Sequence, residues 1–157
     1  MNILFRTFEP GDETAFRELN EVWIAKYFSI EAPDREVLNN PVDKIIRLGG
    51  QIVMALQDGV PIGCCALIAT EPGNFELAKM TVREDYRGLG LGKRLLRSVI
   101  DTARRMGATR LYLESNDRLK DAVHLYESLG FQHLPSERVH PSPYARSNVR
   151  MELELAS

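Results

Sequence analysis

Arg87-Gly88-Leu89-Gly90-Leu91-Gly92-Lys93 places three alternating glycines between an apolar run and a helical pattern. That arrangement can hold an anion. Glycine lets the backbone turn tightly and bring its N–H groups close to a ligand, and the first turn of the following helix adds unpaired donors and the positive end of its dipole. Spacing narrows the choice of anion. The dinucleotide fingerprint G-x-G-x-x-G and the P-loop G-x-x-x-x-G-K-[ST] space their glycines differently, and neither fits.

The stretch from Val82 to Leu96, V-R-E-D-Y-R-G-L-G-L-G-K-R-L-L, resembles the R-G-x-G-x-G motif of the GNAT superfamily of N-acetyltransferases. In that family the motif binds the pyrophosphate of acetyl-coenzyme A. Its setting agrees, because the strand-like run Leu77-Ala78-Lys79-Met80-Thr81-Val82 precedes it and an amphipathic helix follows. The resemblance implies that Arg87, Gly88, Leu89, Gly90, Leu91, Gly92 and Lys93 hold the pyrophosphate of acetyl-CoA, the co-substrate. It also implies that the backbone of Met80 and Val82 pairs with the pantetheine arm, although their side chains read equally as core. The side chains of Lys93, Arg94 and Arg97 either meet the outer phosphate or form the solvated face of the helix.

Moving an acetyl group from a thioester to an amine requires positioning, an answer to the oxyanion and management of two protons. An ammonium with a lysine-like pKa of about 10.4 is deprotonated at pH 7 to only about one part in 10^3.4, equivalent to about 4.6 kcal/mol if nothing assists. The resemblance points to Glu76 on the fourth strand as the base, with a solvent-facing strand residue or a partner of Lys79 as its plain alternatives and Glu114 as the second candidate. Ala122-Val123-His124-Leu125-Tyr126-Glu127-Ser128-Leu129-Gly130-Phe131 resembles the family's A-x-x-L-Y-x-x-x-G-F, whose tyrosine approaches the sulfur. Tyr126 is thereby the proton donor to the departing thiolate. The family commonly places an asparagine three residues before that alanine, but Leu119 stands there; Asn116, three residues earlier, is the candidate for the pantetheine contact. Trp23, Tyr27, Phe28, Tyr144 and Arg146 fall in segments that form the acceptor pocket in the family. For Trp23, core packing is the favoured role. His124 lies on another helix face from Tyr126 and is assigned to solvent.

Periodicity supplies the elements that position these groups. Ile3 to Phe8 reads as a strand, and Asp12 caps a helix in which Phe16, Leu19 and Trp23 recur. A second helix runs from about Asp34 through Leu48, interrupted at Pro41 and ended by Gly49-Gly50. Gln51 to Gln57 and Val60 to Thr70 form a hairpin about Asp58-Gly59. Asn74 to Val82 is a fourth strand and leads into the glycines; the next helix, from about Leu89 to Met106, buries Leu91, Leu95, Val99 and Ala103. Arg110 to Glu114 is a fifth strand, Asp121 to Leu129 a helix, and Phe131 starts a sixth strand reaching Leu134. Pro135 to Asn148 is a long loop, and alternation from Val149 to Leu155 closes the sheet as a seventh strand. The expected fold is a single α/β domain over 1–157, with a mixed, mostly antiparallel sheet of about seven strands flanked by about four helices, as the resemblance also implies.

Composition excludes other classes. A formal net charge of −2 with 27% charged residues argues against a general nucleic-acid surface. No run reaches membrane-spanning length, the first residues lack a signal-peptide pattern, and a cytoplasmic protein is expected. Cys64 and Cys65 are strand neighbours pointing to opposite faces, poorly placed to bridge each other, and no Cys/His spacing suggests a metal. The expected function is acetyl-CoA-dependent N-acetyl transfer to a primary amine by direct attack, with an amine acceptor as partner; a homodimer is admitted. The alternative is a non-catalytic acyl-CoA-binding or sensing domain, and the presence of Glu76 and Tyr126 favours the enzyme.

Overall fold

The computed structural model describes residues 2–155; Met1, Ala156 and Ser157 of the expected 1–157 domain lie outside the described residues. Seven strands form one sheet in the order β1-β2-β3-β4-β5-β7-β6. They are β1 (Ile3–Thr7), β2 (Gln51–Gln57), β3 (Val60–Ala69), β4 (Asn74–Val82), β5 (Arg110–Ser115), β6 (Gln132–His133) and β7 (Val149–Glu154). Only β4 and β5 run parallel; the other pairs are antiparallel. The seventh strand does not close the sheet as expected. It inserts between β5 and β6, leaving the two-residue β6 at the edge. An edge this short presents few unpaired backbone groups to another chain.

The helices are α1 (Glu13–Tyr27), α2 (Ala32–Asn39), α3 (Leu91–Arg105) and α4 (Lys120–Ser128), and a π-helical turn over Val42–Ile46 follows α2. They divide the core between the sheet's faces. Leu95, Leu96, Val99 and Ala103 of α3 and Tyr126 of α4 pack with Leu67, Leu77, Leu111 and Leu113 on one face. Phe16 and Ile24 of α1, Leu38 of α2 and Ile45 pack with Ile52, Met54 and Ala66 on the other. Cys64 belongs to the second cluster and Cys65 to the first, so the adjacent cysteines are free and face opposite ways.

Local chemistry explains the boundaries. Asp58 and Gly59 both hold positive φ, 50° and 80°, the left-handed pair that a two-residue hairpin demands. Asp12 does stand at the start of α1, but its carboxylate caps no helical N–H; it accepts from Glu9 N–H at 2.8 Å and from Arg6 Nη1 at 2.7 Å. The second helix is interrupted at Pro41, as expected, and its two pieces differ in kind. Glu31 and Asp34 form a capping box that starts α2 at Ala32, and Pro41 sets off the π turn. In α1 the fully buried line is Phe16, Asn20 and Ile24, and Leu19 and Trp23 pack at the margin of the same cluster. A polar residue sits in that line because Asn20 Nδ2 donates to Phe16 O at 2.9 Å while its Oδ1 accepts from Trp23 Nε1 at 3.0 Å.

The α3 stripe anchors the glycine loop to the sheet. Leu95 is fully buried, so truncating it removes a methyl cluster that the close-packed surroundings cannot refill. Leu95→Ala should cost about 2–5 kcal/mol. Denaturant unfolding checks this as a lower midpoint at unchanged slope, and a loss below about 1 kcal/mol would show that α3 carries little of the core.

Candidate active site

The site begins where the sheet comes apart. β4 and β5 pair from Asn74↔Arg110 to Leu77↔Leu113 and no further, so the β5-facing edge of β4 from Ala78 to Val82 has no strand partner. A bulge at Lys79 accompanies the split. Lys79 is a non-glycine residue at φ 54°, and the β3–β4 register shifts between Cys64 and Ala66, opposite it. A bulge adds one residue to one strand, bends it and resets which face its side chains take. Before the bulge, Phe75 and Leu77 pack on the α3 side; after it, Met80 and Val82 do. Lys79 is thus turned toward α2, where its Nζ donates to Asp34 Oδ1 at 2.6 Å.

A cleft of about 550 Å³ runs through this gap. At one end lie Arg87, Gly88, Gly90, Leu91, Gly92 and Lys93. Gly88 and Gly90 hold φ of 79° and 76°, and a Cβ on either would meet no atom within 4 Å, so the loop borders open space. The N–H groups from Gly88 to Lys93 make no backbone hydrogen bond among the described residues, and the first helical bond is Arg94 N–H to Gly90 O at 3.2 Å. Unspent donors at a helix start, with room beside them, fit a pyrophosphate. Not every residue of the motif faces the cleft. Leu89 is 55% exposed and does not line it, and α3 starts at Leu91 rather than Leu89. Lys93 lines the cleft, whereas Arg94, stacked over Phe5 at 5.3 Å, and Arg97 do not.

Met80, Val82 and Tyr126 line the middle. Tyr126 is buried, its ring edge-on to Phe131 at 5.8 Å and its hydroxyl 3.9 Å from Met80 Sδ. Burial pushes the phenol well above its ordinary value, so the hydroxyl keeps its proton throughout the neutral range. Asn116 is also at the wall, with its amide committed: Nδ2 donates to Arg146 O at 2.6 Å and Oδ1 accepts from Arg118 N–H at 2.8 Å. In this structure it joins two loops of the cleft. His124 is exposed, as expected.

At the other end stand Trp23, Tyr27, Phe28, Tyr144 and Arg146, together with Glu76 and Glu114. Trp23 packs against the core cluster beneath α1, as expected, and is also a half-buried wall of the cleft, edge-on to Phe28 at 6.4 Å, while Ile24 is the fully buried residue of that turn. Glu76 pairs across the sheet with Tyr112, two residues from Glu114. Burial, and then the charge of Glu114, raise the Glu76 carboxyl from 4.5 to about 7. Glu114 accepts from Tyr112 at 3.2 Å through Oε2; its Oε1 is the one buried side-chain polar atom without a hydrogen-bond partner among the described residues.

Two residues of the site, Asp34 and Lys79, are singled out by no motif or resemblance. Asp34 is fully buried and accepts from Lys79 Nζ, from Arg146 Nη1 at 2.8 Å and Nη2 at 2.6 Å, and from Glu31 N–H at 2.9 Å. Burial alone would raise its carboxyl, but the bonds from Arg146 and Lys79 outweigh that and lower it to about 2. The sequence did carry a signal for Lys79. Strict alternation from Phe75 and Leu77 sends a lysine into the core, and that conflict marks the bulge.

Among the described residues, no group of His, Cys, Asp and Glu could hold a metal ion, and no helix is long and apolar enough to cross a membrane.

The sequence model of the acetyltransferase (GNAT) family matches residues 13–131. An uncharacterized N-acetyltransferase of Schizosaccharomyces pombe is 30% identical over 152 residues, covering 94% of this chain and 91% of that protein. An uncharacterized N-acetyltransferase of Escherichia coli K12, YjgM, is 43% identical over 72 residues, which span 46% of this chain and only 43% of that protein. Among solved structures, the PaiA N-acetyltransferase of Thermoplasma acidophilum in complex with coenzyme A superposes with a TM-score of 0.79 at 20% identity, over 99% of this chain and all of that one (100%). Splayed strands, glycine cradle and family match converge: the chain belongs to the GNAT family, the acetyl-CoA-dependent N-acetyltransferases.

Proposed function

We propose that this acetyltransferase moves the acetyl group to a primary amine by direct attack, with Glu76 taking the amine's proton and Tyr126 serving the departing thiolate. The observation that carries this reading is the gap between β4 and β5, which joins the glycine cradle to an aromatic chamber on the opposite face of the sheet. The cradle of Gly88 to Lys93 would hold the pyrophosphate of acetyl-CoA, and the unpaired edge of β4, at Met80 and Val82, would hold its pantetheine. Asn116 would border that arm. The acceptor would enter between Trp23, Tyr27, Phe28 and Tyr144.

In the step itself the amine nitrogen forms a bond to the thioester carbonyl carbon, the carbon–sulfur bond breaks, and the electron pair leaves on sulfur. Glu76 receives the proton from nitrogen. With its carboxyl near 7, it is ionised often enough at neutral pH to act and basic enough to act well. The Tyr126 hydroxyl donates a hydrogen bond to the thiolate. Full transfer is uphill, because a thiol near the cysteine reference of about 8.5 is the stronger acid, so the hydroxyl's contribution is partial. Cys64 and Cys65 are buried away from the cleft and both thiols are raised by burial, Cys64 to about 12, which removes them as acetyl carriers. Two unpaired cysteines also suit a reducing compartment, and the reading places the enzyme in the cytoplasm. A screen of amines with acetyl-CoA, read by product mass and free thiol, tests the whole reading. Acetyl-CoA binding with no thiol release across the screen would instead support an acyl-CoA-binding domain.

Gly90→Val should abolish acetyl-CoA binding in a folded protein, because a β-branched residue at φ 76° is strained and its side chain fills the space beside the cradle. Calorimetry at wild-type affinity would remove the cradle assignment. For Glu76, kcat/KM should rise with pH through about 7 and then level off, whereas Glu76→Gln should follow only the deprotonation of the amine itself, so its deficit is larger at pH 7 than at pH 9, where free amine is more abundant. An unchanged profile would pass the role to Glu114 or water. Tyr126→Phe should lower kcat about ten- to a thousand-fold with acetyl-CoA affinity preserved. Wild-type turnover in the Phe variant would make Tyr126 a packing residue.

A further inference from the structure

The chamber end of the cleft carries more charge than an acceptor pocket needs, and the charges are unequally answered. Glu76, Glu114, Lys79 and Arg146 line it. Asp34 and Glu31 do not line it; they stand behind the wall and neutralise its cations. Asp34 takes Lys79 Nζ and both Arg146 nitrogens, and Glu31 Oε2 lies 3.3 Å from Arg146 Nη1. Lys79 and Arg146 also sit 4.5 Å from the Tyr144 ring centroid, which spends their remaining charge on an aromatic wall. The carboxylates are less well served. Glu76 receives no hydrogen bond and feels Lys79 only through its charge, a smaller effect than burial and Glu114, and Glu114 Oε1 has no hydrogen bond either. The Arg150 Nε is 3.8 Å from that oxygen but donates to Ser147 Oγ at 2.8 Å, while Arg150 Nη1 bonds to the His140 carbonyl. Two further cations, Arg118 and Lys120, are exposed where they border the cleft, and Arg118 is stacked over Phe28 at 5.1 Å.

We infer that Asp34 determines acceptor specificity: by silencing Lys79 and Arg146 from behind, it leaves Glu76 and Glu114 to select a cationic acceptor, a diamine, over an amine that carries a carboxylate. This rests on the amine-transfer reading and names its substrate class. One ammonium of the diamine faces Glu76, where it is deprotonated, and the second faces the Glu114 carboxylate, drawn by its charge rather than by contact with the enclosed Oε1. A carboxylate in that second position meets like charge, which is discrimination by repulsion as well as attraction. Removing the charge of Asp34 exposes two cations to the chamber and inverts the field a ligand feels there.

The probes are 1,4-diaminobutane and 4-aminobutanoate, of equal chain length and opposite distal charge, titrated at pH 7 into protein saturated with coenzyme A. Wild-type protein should bind the diamine more tightly. In Asp34→Asn the ratio of the two dissociation constants should move toward 4-aminobutanoate by at least tenfold, with coenzyme A affinity within about twofold of wild type. A lost pocket would weaken both ligands together, so a ratio that does not move, or a wild type that prefers 4-aminobutanoate or binds neither, overturns the assignment. Glu114→Gln is the second variant, because Asp34→Asn strands buried cations and could unfold the chain. It should shift the same ratio in the same direction by at least threefold, and an unshifted ratio there also overturns the assignment. Binding in the coenzyme A complex needs no turnover: diamine bound selectively but never acetylated would count against the transfer reading and leave the specificity of the chamber standing.

Discussion

The bulge at Lys79, and the carboxylate that holds it, is the constraint on which the site depends. A lysine in the left-handed region costs on the order of 1–3 kcal/mol and persists only where its surroundings compel it. Here they do. The Nζ of Lys79 reaches an Asp34 carboxylate with no solvent exposure, a contact that is strong because the other lone pairs of Asp34 are also met. Without the extra residue, β4 would keep its alternation and send Lys79 toward α3.

From that one irregularity the functional geometry follows. Alternation with Phe75 and Leu77 puts Glu76 on the α1–α2 face, and the phase change keeps Lys79 there and puts Met80 and Val82 on the α3–α4 face. The loss of pairing beyond Leu77↔Leu113 opens the sheet between them. A ligand lying in the gap can then touch both faces, the aromatic chamber on one side and Tyr126 on the other. Parallel pairing of β4 and β5 matters too, since both strands present their C-terminal ends to the same opening, as ligand-binding crevices of α/β sheets do.

The same ion cluster ties loops that have little apolar contact of their own. Arg146 belongs to the long segment before β7, Glu31 and Asp34 to α2, and Asn116 to the turn after β5; Arg146 O accepts from Asn116 while its guanidinium grips Asp34. A buried ion network of this kind is weak evidence for stability, because desolvation offsets much of its attraction. It suits a wall that must be both ordered and polar. Glu76 shows the opposite arrangement. Its carboxyl is left poorly solvated and next to a like charge, a cost in stability that makes it a base near neutrality.

By itself the sequence determined what depends on near neighbours along the chain. The two left-handed residues of the Asp58-Gly59 hairpin, the apolar stripe of α3, the strand from Asn74 to Val82 and the glycines before Leu91 are all local patterns, and a local pattern is readable without partners. The motif around Tyr126 was legible through resemblance, and the opposite facing of Cys64 and Cys65 through the two-residue period of a strand. Tertiary structure alone decided the rest. The place of the seventh strand inside the sheet depends on which edge its partners leave open. The burial of Asn20 in line with Phe16 and Ile24 depends on its finding polar partners there. The meeting of Asp34, Lys79 and Arg146 joins residues 45 and 112 positions apart, and no periodicity reports a bond between groups that distant in the chain. Charge pairing across such separations is set by how the sheet twists and where it bulges, which is a property of the packed molecule.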